Sequence, residues 1–195
     1  MKKIKVLYLT NNDNALELYK WLNEKCNAIL YKDKISLSYV MDMKPDMIIS
    51  FNYQYIIGQQ VISYMKGKIF NLHISYLPWN RGADPNLWSI IDDTPKGVTI
   101  HQIDETLDTG NIIFQEYVEL QEDAETLKSS YDKLINAITK LFQKHWNELV
   151  TGCYELKRQG GEGSYHKAQD LKNILDKENL DLDMKITDFR KNVMR

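Results

Sequence analysis

Ile69-Phe70-Asn71-Leu72-His73-Ile74-Ser75-Tyr76-Leu77-Pro78-Trp79-Asn80-Arg81-Gly82 opens as an apolar run and breaks at Leu77-Pro78. The run reads as a strand, closed where proline removes a backbone donor. Asn71 and His73 stand two apart at its end, a spacing that turns both side chains to one face of an extended chain. Upstream, residues 4–10, 28–31 and 47–51 have the same apolar character. Helical spacing falls between them at 15–25 and, more briefly, 59–65, the first helix preceded by the cap-forming Asn11-Asn12-Asp13-Asn14. Strands alternating with helices are the pattern of βαβ units. An α/β fold with a Rossmann-like, mostly parallel sheet flanked by helices is therefore expected. Residues 36–43, closed by Pro45, are ambiguous between helix and strand.

Downstream, residues 97–103 and 112–120 read as two further strands joined by a loop over 104–111. Asp123 is expected to cap a long helix reaching about residue 149. Its apolar stripe, Leu127, Tyr131, Leu134, Ile135, Ile138, Leu141, Phe142 and Trp146, suits a core face. Character changes after Thr151: Gly160, Gly161 and Gly163, then Tyr165-His166-Lys167, then a charged tail of weak patterning. The expected division is a catalytic domain over 1–151 and a short C-terminal extension over 152–195.

The 195 residues, 43% hydrophobic and 27% charged, supply core enough for one domain. A net charge of −2 offers no general attraction to nucleic acid or to an anionic membrane. Lys5 interrupts the N-terminal apolar run, which suits a strand better than a leader peptide, and no stretch approaches the roughly 20 apolar residues of a membrane span. Two cysteines without a framework fit reduced thiols, so a cytoplasmic protein is expected. No glycine fingerprint follows the first strand and no phosphate loop is present. The histidines, at 73, 101, 145 and 166, lack metal-ligand spacing, and no metal is expected.

Ligands of parallel sheets bind beyond the carboxyl ends of the strands, where Asn71 and His73 lie. A carboxamide N–H can hold a carbonyl oxygen as it becomes an oxyanion, and an imidazole can share that oxygen or move a proton. Asp108, in the loop ending at Gly110, can orient the imidazole. Taken singly, Asn71 would cap a turn, His73 would be a core histidine and Asp108 would start an Asp-Thr-Gly turn. Together, beside a loop shaped by Pro78 and Gly82, they favour chemistry.

Two linked patterns make the chain recognisable. Asn71-Leu-His73-x-Ser75-x-Leu77-Pro78-x-x-x-Gly82 is followed by Val98-x-x-His101-x-x-Asp104-x-x-x-Asp108-x-Gly110-x-Ile112. Over residues 4–149 this strongly resembles the folate-dependent formyltransferases. The resemblance implies the formyltransferase fold, N10-formyltetrahydrofolate as donor, and Asn71, His73 and Asp108 as catalytic residues. It leaves open whether His73 or Asp108 is the formal base. It further implies folate contacts at Gln102, Ile103, Asp104 and Leu107, largely through main chain, and beside Phe51 and Tyr53.

The run from Trp79 to Trp88 is most similar to the sugar N-formyltransferases, which act on nucleotide-linked amino-dideoxy sugars in surface glycan and O-antigen synthesis. That resemblance implies dTDP-4-amino-4,6-dideoxyglucose as acceptor. Arg81 suits a diphosphate, Trp79 a ring, and Asn80 or Asn86 sugar hydroxyls, with Gly82 shaping the loop; packing within a helix suits Trp88. Tyr165, His166 and Lys167 resemble a later substrate-contacting run. Glycinamide ribonucleotide transformylases differ at Ile74 and Tyr76. The tRNA-acting branch carries a C-terminal barrel for which the residues after Thr151 lack strand patterning. A non-catalytic folate or nucleotide-sugar binding protein is the remaining alternative. Family members often dimerise through a longer C-terminal portion, so a homodimer is left open.

Overall fold

A computed structural model describes residues 3–175 and 180–193. The elements run β1 (Lys5–Leu9), α1 (Leu16–Lys25), β2 (Asn27–Tyr31), α2 (Leu37–Met43), β3 (Met47–Phe51), α3 (Gln59–Met65), β4 (Ile69–His73) and β5 (Arg81–Gly82). They continue α4 (Pro85–Ile91), β6 (Gly97–Gln102), β7 (Ile112–Tyr117), α5 (Leu127–Lys144), α6 (Trp146–Thr151), β8 (Tyr165–His166), α7 (Ala168–Lys172) and α8 (Ile186–Val193). Among the described residues the main sheet has the order β2-β1-β3-β4-β6-β7, and β5 pairs with β8 separately. The expected mostly parallel α/β sheet is thus present. β1 lies parallel to both β2 and β3, with Val6 opposite Ala28 and Met47, and β3 runs parallel to β4, with Ser50 opposite Asn71. No described helix is long and apolar enough to cross a membrane.

The chain forms two compact units, each made of separate segments. The first comprises the residues up to His73 together with Ile100–Asn111. Its core joins Leu7 and Leu9 of β1, Ile48 of β3 and Ile69 of β4 to Val40 of α2 and Val61 and Met65 of α3, all buried. Each such aliphatic side chain contributes roughly 1.5–3 kcal/mol on leaving water. The ambiguous segment over 36–43 resolves into α2. Ser36 caps it by accepting from Tyr39 N–H, and Lys44 ends it in the left-handed region just before Pro45.

The second unit comprises Ile74–Thr99 and the residues from Ile112 onward. Its core gathers Leu87, Trp88 and Ile90 of α4, Leu127 of α5, Leu171 of α7, and Ile186 and Phe189 of α8. Arg190 fixes α8 further, binding Glu122, Asp93 and the Ile90 carbonyl. Residues after 151 therefore share a core with α4 and α5, and the division between units does not fall at 151. Two details differ from expectation. The cap of α5 is Thr126, not Asp123: its hydroxyl accepts from Ser129 N–H while Ser129 Oγ accepts from Thr126 N–H, a reciprocal box that satisfies two orphan donors. The long helix also breaks at His145, whose ring stacks on Phe114 at 3.8 Å and whose Nδ1 reaches Glu148 Oε1 at 3.1 Å, so α6 starts a new helix.

Candidate active site

In the first unit, β4 delivers Asn71 and His73 together at its carboxyl end, the latter only 6% exposed. The loop after β6 brings up the carboxylate. Asp104 Oδ1 accepts from Thr106 N–H at 3.2 Å and from the Thr109 hydroxyl at 2.7 Å, folding the loop on itself. Asp108 takes a left-handed backbone, φ 54, which aspartate tolerates better than most residues, and its side chain is nearly buried. Gly110 then passes against the end of β6 so closely that a Cβ there would lie 1.8 Å from the Gln102 carbonyl oxygen.

The result is a cluster around one carboxylate. Asn71 Nδ2 donates to Asp108 Oδ1 at 3.0 Å. Asp108 Oδ2 lies 3.7 Å from His73 Nδ1, an ion-pair separation that favours a proton on that nitrogen. His101 Nε2 lies 3.3 Å from Asn71 Nδ2 and 3.5 Å from Asp108 Oδ1. The two imidazoles sit edge to face, their centroids 6.2 Å apart. Asn71, His73 and Asp108 are brought together as the sequence suggested. His101, 1% exposed, is the member that sequence reasoning left outside the site. Its signal was present: like His73 it stands at a strand end, and it lies inside the second motif.

The residues expected to meet a folate have distinct surroundings. Phe51 is fully buried in the core, and the Tyr53 hydroxyl accepts from Ile35 N–H and donates to the Asp33 carbonyl, so both side chains are engaged in the fold. Gln102 donates to the Gly67 carbonyl at 3.0 Å, and Ile103 N–H donates to Ile69 O. Leu107, by contrast, is 45% exposed at the loop tip, and Ile56, which the sequence reading did not single out, is 79% exposed. Gln59 and Glu105 join the segments bearing these two residues through a 2.6 Å hydrogen bond.

In the second unit the loop after the cis Leu77–Pro78 bond is braced by the segment 159–166. Asn80 is fully buried: its Nδ2 donates to Thr94 Oγ1 at 2.7 Å, its Oδ1 accepts from Ser164 Oγ, and its N–H donates to that hydroxyl. Arg81 directs Nε and an Nη at Gln159 Oε1, at 3.0 and 2.8 Å. Gly82 runs beside His166, where a Cβ would meet the carbonyl at 2.2 Å. Trp79 is half-buried, and its carbonyl accepts from Ser75 Oγ. Asn86 is buried and donates to Ser130 Oγ at 3.0 Å, while its Oδ1 and Trp88 Nε1 lie buried without a hydrogen-bond partner among the described residues. His166 stacks on Trp88 at 3.9 Å beside Asp92, and burial holds its pKa below the ordinary value despite the neighbouring carboxylates. Tyr165 is half exposed, and Lys167, also exposed, starts α7, its N–H donating to Asp170.

The geometry has counterparts. Over 97% of this chain and 99% of the other, the fold superposes with a TM-score of 0.85 and 38% identity on the formyltransferase PseJ from Anoxybacillus kamchatkensis, solved in complex with UDP-4,6-dideoxy-4-formamido-L-AltNAc and tetrahydrofolate. A dTDP-4-amino-4,6-dideoxyglucose formyltransferase from Mycobacterium tuberculosis is 31% identical over 66% of this chain and 54% of its own length. A methionyl-tRNA formyltransferase from Fusobacterium nucleatum is 36% identical over 80% of this chain and 47% of its own. The chain thus spans about half the length of these two curated relatives. Residues 19–144, more than half the chain and inclusive of the whole Asn71–His73–Asp108 cluster, match the formyl transferase family, and the chain belongs to it.

Proposed function

We propose that this chain moves a formyl group from N10-formyltetrahydrofolate to the amine of a nucleotide-linked 4-amino-4,6-dideoxy sugar. The observation that carries the reading is the cluster in which Asp108 binds Asn71 through one oxygen and faces His73 with the other. The 38% identity to a formyltransferase solved with a nucleotide-linked formamido sugar and tetrahydrofolate supports this acceptor class.

In this mechanism the neutral amine attacks the formyl carbon and a C–N bond forms. Asn71 N–H and His73 stabilise the oxyanion of the tetrahedral intermediate, as preorganised donors do in a water-poor site. His73, held by Asp108, carries the proton lost by the amine to N10 as the old C–N10 bond breaks. The folate lies along the main chain of residues 102–107, beside exposed Leu107. The sugar nucleotide is received by the loop from Trp79 to Asn86 with Tyr165 and Lys167. Both substrates are charged and cross membranes poorly, which fits a reaction in the cytoplasm.

The test is to incubate the protein with N10-formyltetrahydrofolate and, separately, dTDP- and UDP-linked 4-amino-4,6-dideoxy sugars and glycinamide ribonucleotide, with mass spectrometry for the formamide. Formamide is expected on a nucleotide sugar and not on glycinamide ribonucleotide. In His73→Ala turnover should fall roughly 10²–10⁴-fold while calorimetry still detects sugar-nucleotide binding. Failure to formylate any nucleotide sugar overturns the reading.

A further inference from the structure

Asn71 has two amide hydrogens and the cluster offers two acceptors for them. Asp108 Oδ1, at 3.0 Å, takes one. The other can turn to His101: Nδ1 lies 2.7 Å from the Gln102 carbonyl, which can only accept, so Nδ1 carries a proton, and in that tautomer Nε2 is an acceptor. That nitrogen is 3.3 Å from Asn71 Nδ2 and 3.5 Å from Asp108 Oδ1, so its contact with the carboxamide is long and easily exchanged beside the firmer one from Asn71 to Asp108. A carboxamide flipped by half a turn would set its oxygen against both a carboxylate and an imidazole lone pair.

Resting on the formyl-transfer reading above, we propose that His101 is a positioning residue for that reaction. It fixes the orientation of the Asn71 carboxamide and holds the second amide N–H in place until the oxyanion takes it. Asp108 keeps the first hydrogen throughout, so only the weaker of the two contacts breaks. His101 itself, 1% exposed, does not touch the substrate.

Two variants separate an acceptor from a space-filler. His101→Phe keeps a ring without an acceptor, and His101→Gln restores a carbonyl oxygen at similar reach. In His101→Phe kcat should fall roughly 10²-fold, the cost of a misplaced catalytic group, with both KM values within about twofold. His101→Gln should recover about tenfold of that loss. On an Asn71→Ala background, His101→Phe should add less than about a twofold effect, because the coupled partner is gone. A full loss persisting in that background, a rise in KM with unchanged kcat, or a Phe variant as active as wild type overturns the proposal. Should His101→Phe not fold, ¹⁵N spectra of wild-type imidazoles decide: the Nδ1–H tautomer at neutral pH is expected for His101, and a proton on Nε2, in the other tautomer or in an imidazolium paired with Asp108, refutes it. An inactive wild type would instead strike the formyl-transfer reading, and the tautomer would still be readable.

Discussion

Asn71 and Asp108 are joined by a 3.0 Å hydrogen bond from carboxamide to carboxylate, so the position of each side chain depends on the other. Asp108→Asn replaces a carboxylate oxygen by a donor facing either Asn71 N–H or His73 Nδ1–H. Formyl transfer should drop roughly 10³-fold, within the range lost with a general acid–base pair. Single-turnover kinetics read the loss, and a melting curve checks that the fold persists.

Gly110 tests the loop's closure. A methyl group there would lie 1.8 Å from the Gln102 carbonyl oxygen, the same oxygen that accepts from His101 Nδ1. Gly110→Ala should cost about 2 kcal/mol or more in chemical denaturation, as overpacking does, and should impair turnover besides. Gly160→Ala, with nothing within 4 Å of the added carbon, should stay within about 0.5 kcal/mol of wild type.

Asn80 separates side-chain bonding from backbone conformation. It is fully buried, holds Thr94 and Ser164, and sits at φ 55. Asn80→Ala loses the bonds and keeps the unfavourable φ, for a cost of about 2–3 kcal/mol. Asn80→Gly removes more atoms yet relaxes the backbone, and should be less destabilising by about 1 kcal/mol. Equal losses in urea titrations would show that backbone conformation contributes nothing here.

His166 sets a pH dependence. Burial against Trp88 lowers its pKa, so the folded state binds fewer protons than the unfolded chain once the pH drops below the ordinary histidine value of about 6.5. The stability it contributes is complete above that pH and is lost as the pH falls towards the lowered value. Thermal melts between pH 5 and 7.5 should show this decline in wild type and a shallower one in His166→Gln.

The sheet was legible because buried parallel strands are nearly continuous apolar runs, and α3 falls at residues 59–65 where its spacing put it. The grouping of Asn71, His73 and Asp108 was legible because two sit in register on one strand and the third lies in a short loop. Less was visible where long-range packing decides. Thr126 outcompetes Asp123 as a cap because its box partner Ser129 is in place, a choice that depends on where the helix starts. The tail looked weakly patterned because Leu171, Ile186 and Phe189 come from two short helices that share one core with α4. His101 was visible only as part of the second motif, because what its two ring nitrogens meet, the Gln102 carbonyl and Asn71, is set by the fold. Asn80 and Asn86 looked like ligand readers by residue type, but their burial and partners could not be seen from spacing.

The first unit is assembled from chain on both sides of residues 74–99. A nascent polypeptide that has just exposed His73 already carries Asn71 and β1 to β4, yet lacks His101, Asp108 and the strand that pairs along the free side of β4. At roughly 5–20 residues per second, a few seconds of synthesis separate the first half of the cluster from the second. During that interval β4 is an unprotected edge strand. A truncation before Asp108 cannot retain the cluster, and a pause in synthesis within 74–99 delays the arrival of Asp108 beside Asn71.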